Sequence, residues 1–485
     1  MNLFATKPLS RIMTEAEGEH ALKRTLGPVQ LVALGIGAII GAGLFSLTGI
    51  AAANHAGPAV VLAFVLAAFG CACAGLCYSE FSTMIPIAGS AYTYSYATMG
   101  ELLAWIIGWD LVLEYAVGAA TVAVSWSGYV ASFLADFGII LPPQYINSPW
   151  QEIKFADGTV GHGIVNIPAM IVVALISWLL ITGIQESARA NAVIVVLKVS
   201  VVVLFILFGW SYINPVNHTP FIPPNTGESG HFGWSGIVRA AGVVFFAFIG
   251  FDAVSTAAQE TKNPQRDMPI GIIGSLAVCT ILYVLFSYTL TGIVNYTEMN
   301  TAAPVALAID RTGILWLAKA IKLAIIAGYT SVILVMLLGQ SRVFYSMSRD
   351  GLLPKLFSDI HPKYRTPWRS NLLFMVFVAL FAAFAPIQLV GEMTSIGTLF
   401  AFVLVCAGIM VMRRTHPELP RPFRTPLVPV VPILGIAANL FLMAGLGWEN
   451  WLRLIIWLAI GLCIYFGYSR KHSLLNQPAA PQTRR

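Results

Sequence analysis

Glycines at positions 35, 37, 41 and 43 lie in the middle of an apolar segment, GIGAIIGAGLF (35–45). Glycine permits a helix to break and permits a ligand to approach the backbone closely. At such a break, the free N–H groups of the following half-helix carry a partial positive charge that suits a carboxylate. The free carbonyls before the break suit an ammonium group. A broken helix here therefore predicts a site for a zwitterion.

A second interruption follows five apolar segments later, in FFAFIGFD (245–252), where Gly250 meets an apolar helix near its middle. Taken alone, the first glycines would favour a small-residue face for helix packing, of the GxxxG type. Corresponding interruptions in two segments are instead typical of the midplane binding site of a transporter. We expect Asp252 to cap the outgoing half-helix rather than to contact a ligand.

Lys198 is the strongest candidate for a residue that gains and loses a proton during transport. It lies about ten residues into an apolar run, which at 1.5 Å per residue places it roughly 15 Å deep. A buried amine can gain and lose a proton near neutral pH, so this lysine is predicted to couple proton movement to transport. The alternative is a structural cation held by carbonyls of the broken first helix.

Two further sets of polar residues leave alternatives open. Asp110 and Glu114 are four residues apart and share a helix face. One of them either pairs with Arg239 or, in the case of Glu114, recognises a cationic side chain of the substrate. Thr330 and Ser331 are able to supply oxygens to a sodium ion, which keeps sodium coupling as an alternative to proton coupling.

The elements that must position these residues are membrane spans. Of the 485 residues, 57% are hydrophobic and 10% are charged, with a mean hydropathy of +0.77. This leaves too little polar surface to cover a soluble protein of this size. The sequence predicts twelve spans: 29–53, 58–81, 101–134, 164–183, 188–212, 236–258, 269–294, 313–341, 370–386, 392–412, 428–447 and 451–469.

The distribution of basic residues predicts the orientation of the chain. With the N-terminus inside, the cytoplasmic segments hold 21 Lys and Arg residues, and the external loops hold only Lys154 and Arg311. Both termini are therefore expected in the cytoplasm, and the net charge of +6 needs no nucleic acid to explain it. The six cysteines fall inside predicted spans, which indicates neither a disulfide framework nor a metal site.

Four motifs together resemble the amino acid, polyamine and organocation transporter superfamily, and within it the bacterial branch of the cationic amino acid transporter family. They are GIGAIIGAGLF (35–45), PIAGSAYTYSY (86–96), FFAFIGFDAVSTAAQETKNPQRDMP (245–269) and RVFYSMSRDGLLP (342–354). The similarity extends over roughly residues 20–470. Four motifs in this order, with the expected number of spans, are highly specific.

The resemblance implies an all-α integral membrane protein with the leucine-transporter-like fold, which has two inverted repeats of five helices and two extra helices. The expected division is a cytoplasmic N-terminal segment, the first repeat, the second repeat, the last two spans and a cytoplasmic tail. These units are 1–28, 29–212, 236–412, 428–469 and 470–485.

Position by position, the resemblance implies that the substrate carboxylate meets backbone N–H groups of Gly41, Ala42 and Gly43. It implies that the amino group meets the carbonyls of Ile39, Phe246, Ala247 and Ile249. Phe248 would act as a gate, and Ile40 would contribute to an apolar lining. Serine or threonine is usual in the family at position 42, so a side-chain hydroxyl contact is lost here while backbone contacts remain.

The predicted function is a secondary active transporter of a bacterial cytoplasmic membrane that imports L-amino acids with protons, by alternating access. The alternatives are an amino acid exchanger, a polyamine carrier of the same fold and a sodium-coupled symporter. An enzyme is not expected, because no catalytic motif occurs and the histidines fall in loops, tails or span edges. The expected partners are the lipid bilayer and the substrate, with or without a small membrane subunit; no cofactor, metal or nucleic acid is expected.

Overall fold

A computed structural model describes residues 3–8, 26–85, 90–154, 158–183 and 188–475. Within these ranges the chain is almost entirely helical. Parts of three predicted features lie outside the described residues: the N-terminal segment 1–28, the motif at 86–96 and the tail 470–485.

The helices of the first predicted repeat are interrupted by short turns of π-helix or 3-10 helix. Their bounds are α1 Pro28–Ile39, α2 Thr48–Ala51, α3 Val60–Met84, α4 Ser90–Thr98, α5 Glu101–Val112, α6 Gly118–Ala135, α7 Ile167–Ile181 and α8 Ala188–Gly209. π-Helical turns at Gly43–Leu47 and Ala52–Ala56 flank α2, and another at Leu113–Val117 joins α5 to α6.

The remaining helices are longer on average. Their bounds are α9 Gly233–Val244, α10 Pro264–Ile293, α11 Pro304–Arg311, α12 Leu315–Arg349, α13 Trp368–Phe384, α14 Ile387–Thr415, α15 Val430–Gly445, α16 Trp448–Ile464 and α17 Arg470–His472. Two 3-10 segments, Phe245–Phe248 and Asp252–Glu260, follow α9.

Each of the twelve predicted spans coincides with helical residues of the structure. Among the described residues, eight helical segments are long and apolar enough to cross a membrane, and four apolar helices are shorter. The shorter ones are Pro28–Ile39, Ile167–Ile181, Trp368–Phe384 and Val430–Gly445. The protein is therefore a multi-pass membrane protein, and the number of crossings stays a prediction.

A short hairpin departs from the expected all-α fold. Strand β1 (Glu152–Lys154) pairs in antiparallel register with β2 (Val160–His162), with Ile153 opposite Gly161. It belongs to the loop between α6 and α7, which lies outside the twelve predicted spans. Three-residue strands carry too little alternation to be recognised in a sequence.

Both ends of the described chain lie at the same end of the helix bundle, which we call the terminal face. Lys7 Nζ lies 2.9 Å from Asp350 Oδ1, at the C-terminal end of α12. Ser473, close to the last described residue, hydrogen-bonds to Glu101 at the start of α5.

An ion cluster joins three elements at the opposite end of the bundle. Lys322 of α12 is buried, and its Nζ lies 2.9 Å from Asp136 and 2.8 Å from Asp310. Asp136 follows α6 directly and Asp310 belongs to α11. The buried ammonium compensates two carboxylates, so it holds these elements together.

Candidate functional site

The first helix breaks where the glycine motif predicts a break. Helix α1 ends at Ile39, and Ile40 adopts an extended backbone conformation with ψ 109°. Helical geometry resumes with the π-helical turn that starts at Gly43. The N–H groups of residues 41–43 have no hydrogen-bond acceptor in the described part of the chain. Three consecutive amides are thus left at the start of a half-helix, where an anion is favoured.

The second break lies between the two 3-10 segments that follow α9. Ile249 is extended, with ψ 134°, and Gly250 has φ +114°. A Cβ atom on Gly250 would lie 2.7 Å from the carbonyl oxygen of Ala38 in α1. Glycine is required here both by the backbone conformation and by the approach of the first helix.

The two breaks touch main chain to main chain. A Cβ atom built on Gly43 would lie 2.2 Å from Cα and 2.4 Å from N of Ala247. The glycines earlier in the motif have a packing role: a Cβ on Gly35 would meet Ser275 Oγ at 2.5 Å, and one on Gly37 would meet Val195 at 2.2 Å. The motif therefore serves both functions that the sequence suggested, packing before the break and the break itself.

Three of the four carbonyls expected to meet an amino group, those of Ile39, Phe246 and Ala247, already have partners in the protein. The hydroxyl of Tyr283 lies 3.1 Å from the carbonyl oxygen of Ile39 and 2.8 Å from that of Ala247. The carbonyl of Phe246 accepts a bond of 3.2 Å from the amide of Ile249. Tyr283 lies on α10 and was not among the predicted site residues, since a tyrosine in an apolar helix gives no distinguishing signal.

Phe248, the predicted gate, is fully buried in this structure. Its ring centroid lies 5.2 Å from that of Tyr283 and 6.3 Å from that of Phe64. The phenyl ring therefore packs beside the second break, against helices α10 and α3.

Lys198 lies between the first broken helix and α12. Its Nζ donates a hydrogen bond of 2.8 Å to the carbonyl of Gly37, two residues before the end of α1. Its aliphatic stem packs on Gly328, where a Cβ atom would lie 3.0 Å from Cε. The side chain is only 3% exposed. The lysine thus contacts one of the carbonyls that the structural-cation alternative requires.

Thr330, one of the two residues considered for sodium, has a hydroxyl that is already hydrogen-bonded. It donates to the carbonyl of Ile326 at 2.9 Å and accepts from Trp126 Nε1 at 3.0 Å. Ser331 instead lines a cavity beside the breaks.

This cavity has a volume of about 120 Å³ and lies on the side of the first break where α1 runs. It includes two residues of the predicted site, Ile249 and Glu114. Its wall is mostly apolar and comes from four helical regions: Leu34, Gly37, Ala38, Glu114, Tyr115, Ile249, Gly250, Ala253, Ser331, Val332, Val335 and Met336.

Three buried carboxyl groups lie near one another beside the cavity. Glu114 lies close enough to both Asp252 and Asp110 to interact with them electrostatically. One buried carboxyl oxygen of Glu114 and one of Asp252 lack a hydrogen-bond partner in the described residues. Both oxygens of Asp110 lack a hydrogen-bond partner within the described ranges.

The expected pairing of Asp110 or Glu114 with Arg239 is wrong. Arg239 Nη2 lies 3.5 Å from Glu392 Oε1, a carboxylate of α14 that is itself buried. Glu392 also accepts a bond of 2.9 Å from Gln388. The arginine therefore links α9 to α14 and leaves the carboxyl groups beside the cavity without a cation from α9.

Comparison with known proteins identifies the family of this chain. A family profile described as amino acid permease matches residues 26–466. The chain belongs to the amino acid permease family. This family lies within the superfamily that the four motifs indicated, so the permease is a transporter and not an enzyme.

Several curated relatives match this permease along nearly its whole length. The branched-chain amino acid permease BcaP of Bacillus subtilis is 46% identical over 98% of this chain and 99% of the relative. The methylthioribose transporter of the same organism is 43% identical over 98% of this chain and 100% of the relative. The vacuolar cationic amino acid transporter 4 of Arabidopsis thaliana is 31% identical, covering 95% of this chain and 94% of the relative.

Proposed function

We propose that this permease is a secondary active transporter that imports L-amino acids by alternating access. The observation that carries the proposal is the set of three unpaired amides at residues 41–43, in contact with a second break whose Ala247 carbonyl shares the single hydroxyl proton of Tyr283 with the carbonyl of Ile39. Unpaired backbone groups are costly within a membrane unless a ligand or wet cavity compensates them. An α-carboxylate and an α-ammonium group, about one carbon apart, match the two kinds of group.

The proposed architecture is two inverted five-span repeats, 29–212 and 236–412, followed by two further spans within 428–469. Each repeat then begins with a broken helix, and the contact between Gly43 and Ala247 supports this symmetry. With the terminal face in the cytoplasm, the excess of basic residues lies inside. The bacterial relatives favour the cytoplasmic membrane as the location.

Lys198 is the proposed coupling residue, with a proton as the coupling ion. Its ammonium bonds to a carbonyl of α1, so protonation favours one position of that half-helix, and loss of the proton releases it. Sodium coupling requires oxygens from α12, and the two hydrogen bonds of the Thr330 hydroxyl count against it. Exchange without a coupling ion needs no role for Lys198.

The substrate class follows from the cavity and from the relatives. A cavity of about 150 Å³ lined by apolar side chains holds a benzene molecule, so the cavity of about 120 Å³ has room for a branched aliphatic side chain. The relative named a branched-chain amino acid permease supports such substrates. The relative named a methylthioribose transporter supports a second candidate, an uncharged sugar with an apolar methylthio group.

Uptake into proteoliposomes tests these proposals. We expect labelled leucine, isoleucine or valine to accumulate under an imposed proton gradient, with no requirement for sodium. Unlabelled methylthioribose, arginine and a polyamine serve as competitors. Competition by methylthioribose without uptake of any amino acid would reject the zwitterion site, and accumulation driven only by sodium would reject the role of Lys198.

A further inference from the structure

The hydroxyl of Tyr283 is the one side-chain donor in the described residues that contacts both breaks. It lies 3.1 Å from the carbonyl oxygen of Ile39 and 2.8 Å from that of Ala247. The ring is fully buried and packs against Phe64 and Phe248, with centroids 5.4 and 5.2 Å away. Its position is thus determined by packing as well as by the two hydrogen bonds.

A tyrosine hydroxyl carries a single proton, whereas two carbonyls approach it here. At any moment, one carbonyl receives the proton of Tyr283 and the other does not. Since a buried polar group without a partner costs about 1–3 kcal/mol, a second donor at this position is favoured.

We propose that Tyr283 is a positioning residue for recognition of the substrate's amino group. Its hydroxyl holds the carbonyl ends of the two breaks together and leaves one acceptor for the ammonium group, which brings three donors. This inference rests on the proposed function, because it assumes a zwitterionic substrate. It also adds a polar link between breaks that already touch at Gly43 and Ala247.

The test compares Tyr283→Phe with the wild-type protein in an exchange assay, using proteoliposomes loaded with leucine. For each protein, the half-inhibitory concentrations of leucine and of its α-hydroxy analogue, which lacks the ammonium group, are measured. In the wild type we expect leucine to inhibit at a lower concentration. The quantity compared is the half-inhibitory concentration of the α-hydroxy analogue divided by that of leucine. In Tyr283→Phe we expect this ratio to fall by about tenfold, because the amino group loses its aligned acceptors.

Tyr129→Phe is the matched control. This buried tyrosine also donates to a carbonyl of the first span, at 2.5 Å, but its acceptor Phe45 lies beyond the break. We expect the ratio to stay at the wild-type value in this variant, even if the rate of exchange changes. A fall of the ratio in both variants would show a general packing effect and would overturn the proposal.

The remaining outcomes are also decisive. An unchanged ratio in folded Tyr283→Phe would overturn the role of Tyr283 while leaving the proposed function intact. If the wild type exchanges no L-amino acid, the proposed function itself fails. If Tyr283→Phe does not yield monodisperse protein, Tyr283→His, which retains a ring N–H donor, replaces it. For Tyr283→His, the proposal requires a ratio that lies between one tenth of the wild-type ratio and the wild-type ratio itself. A ratio below one tenth of the wild-type value would overturn the proposal.

Discussion

Gly43 and Gly41 belong to one motif, but the structure gives them different surroundings, so alanine at each position makes a sharp comparison. A Cβ atom at Gly43 would lie 2.2 Å from Cα and 2.6 Å from Cβ of Ala247. At Gly41 the nearest atom would be Val332 Cγ2, at an ordinary contact distance of 3.6 Å. Neither glycine has a positive φ, so alanine introduces no backbone strain at either position.

The expected cost at Gly43 follows from these distances. The main chain of Ala247 would have to retreat by about 1.2 Å to restore a contact of 3.4 Å. Overpacking of a buried contact costs about 1–3 kcal/mol, and a free energy of this size changes an equilibrium constant about 5- to 150-fold. We therefore expect Gly43→Ala to weaken substrate binding by at least fivefold and Gly41→Ala by less than threefold.

The assay is the concentration dependence of leucine exchange in proteoliposomes, with the thermal midpoint of each purified variant as a control for folding. If alanine at position 43 pushes the two breaks apart, the half-saturating concentration of leucine should be larger in Gly43→Ala than in the wild type. If the glycines served only as a uniform packing face, the two variants would be impaired alike. Equal affinities, or a greater loss in Gly41→Ala, would refute the reasoning from the break.

Three further predictions concern two buried lysines and a histidine in the loop between α8 and α9. Lys198→Ala should retain exchange but lose accumulation driven by a pH gradient; unchanged accumulation would refute the coupling role. Lys322→Met should lower the free energy of unfolding in denaturation assays by more than the about 1 kcal/mol of a surface pair but by less than the about 3–5 kcal/mol of a fully buried one, because the two carboxylates that lose their cation are partly exposed. Arg311→Gln, which removes an exposed ion pair, should change it by less than about 0.5 kcal/mol. Burial lowers the pKa of His218 below 6.5, so the folded state favours the neutral imidazole. Thermal stability should therefore decline as the pH falls below about 6.5, and His218→Gln should flatten that part of the profile.

The breaks were predictable because their signals are local. Glycine at 41 and 43 within an apolar span, and Gly250 in a second one, mark places where a helix can break and main chains can approach closely, and Gly250 also adopts a backbone conformation that few other residues permit. The burial of Lys198 likewise agrees with its position about ten residues into an apolar run, while its depth in the membrane stays a prediction. These features depend on a few neighbouring positions, which a single sequence displays.

The partners of the site were not predictable, because they come from distant segments. Tyr283 reaches Ile39 from 244 positions away, and nothing in its own helix distinguishes it from a tyrosine that only packs. Arg239 was expected beside Asp110 or Glu114 but meets Glu392. Charge alone shows that an arginine in an apolar span needs a carboxylate, and only the packing of α9 against α14 determines which one it meets.

The polar groups of the two breaks are compensated unequally. Lys198 and Tyr283 supply donors to the carbonyls of Gly37, Ile39 and Ala247. No group in the described residues accepts from the amides of 41–43. The groups that lack a partner are therefore mainly N–H donors, which bind an anion, because the carbonyls already accept hydrogen bonds from the protein. A carboxylate then contributes more to binding than an ammonium group does, and the ammonium completes a hydrogen-bond arrangement that Tyr283 has half filled.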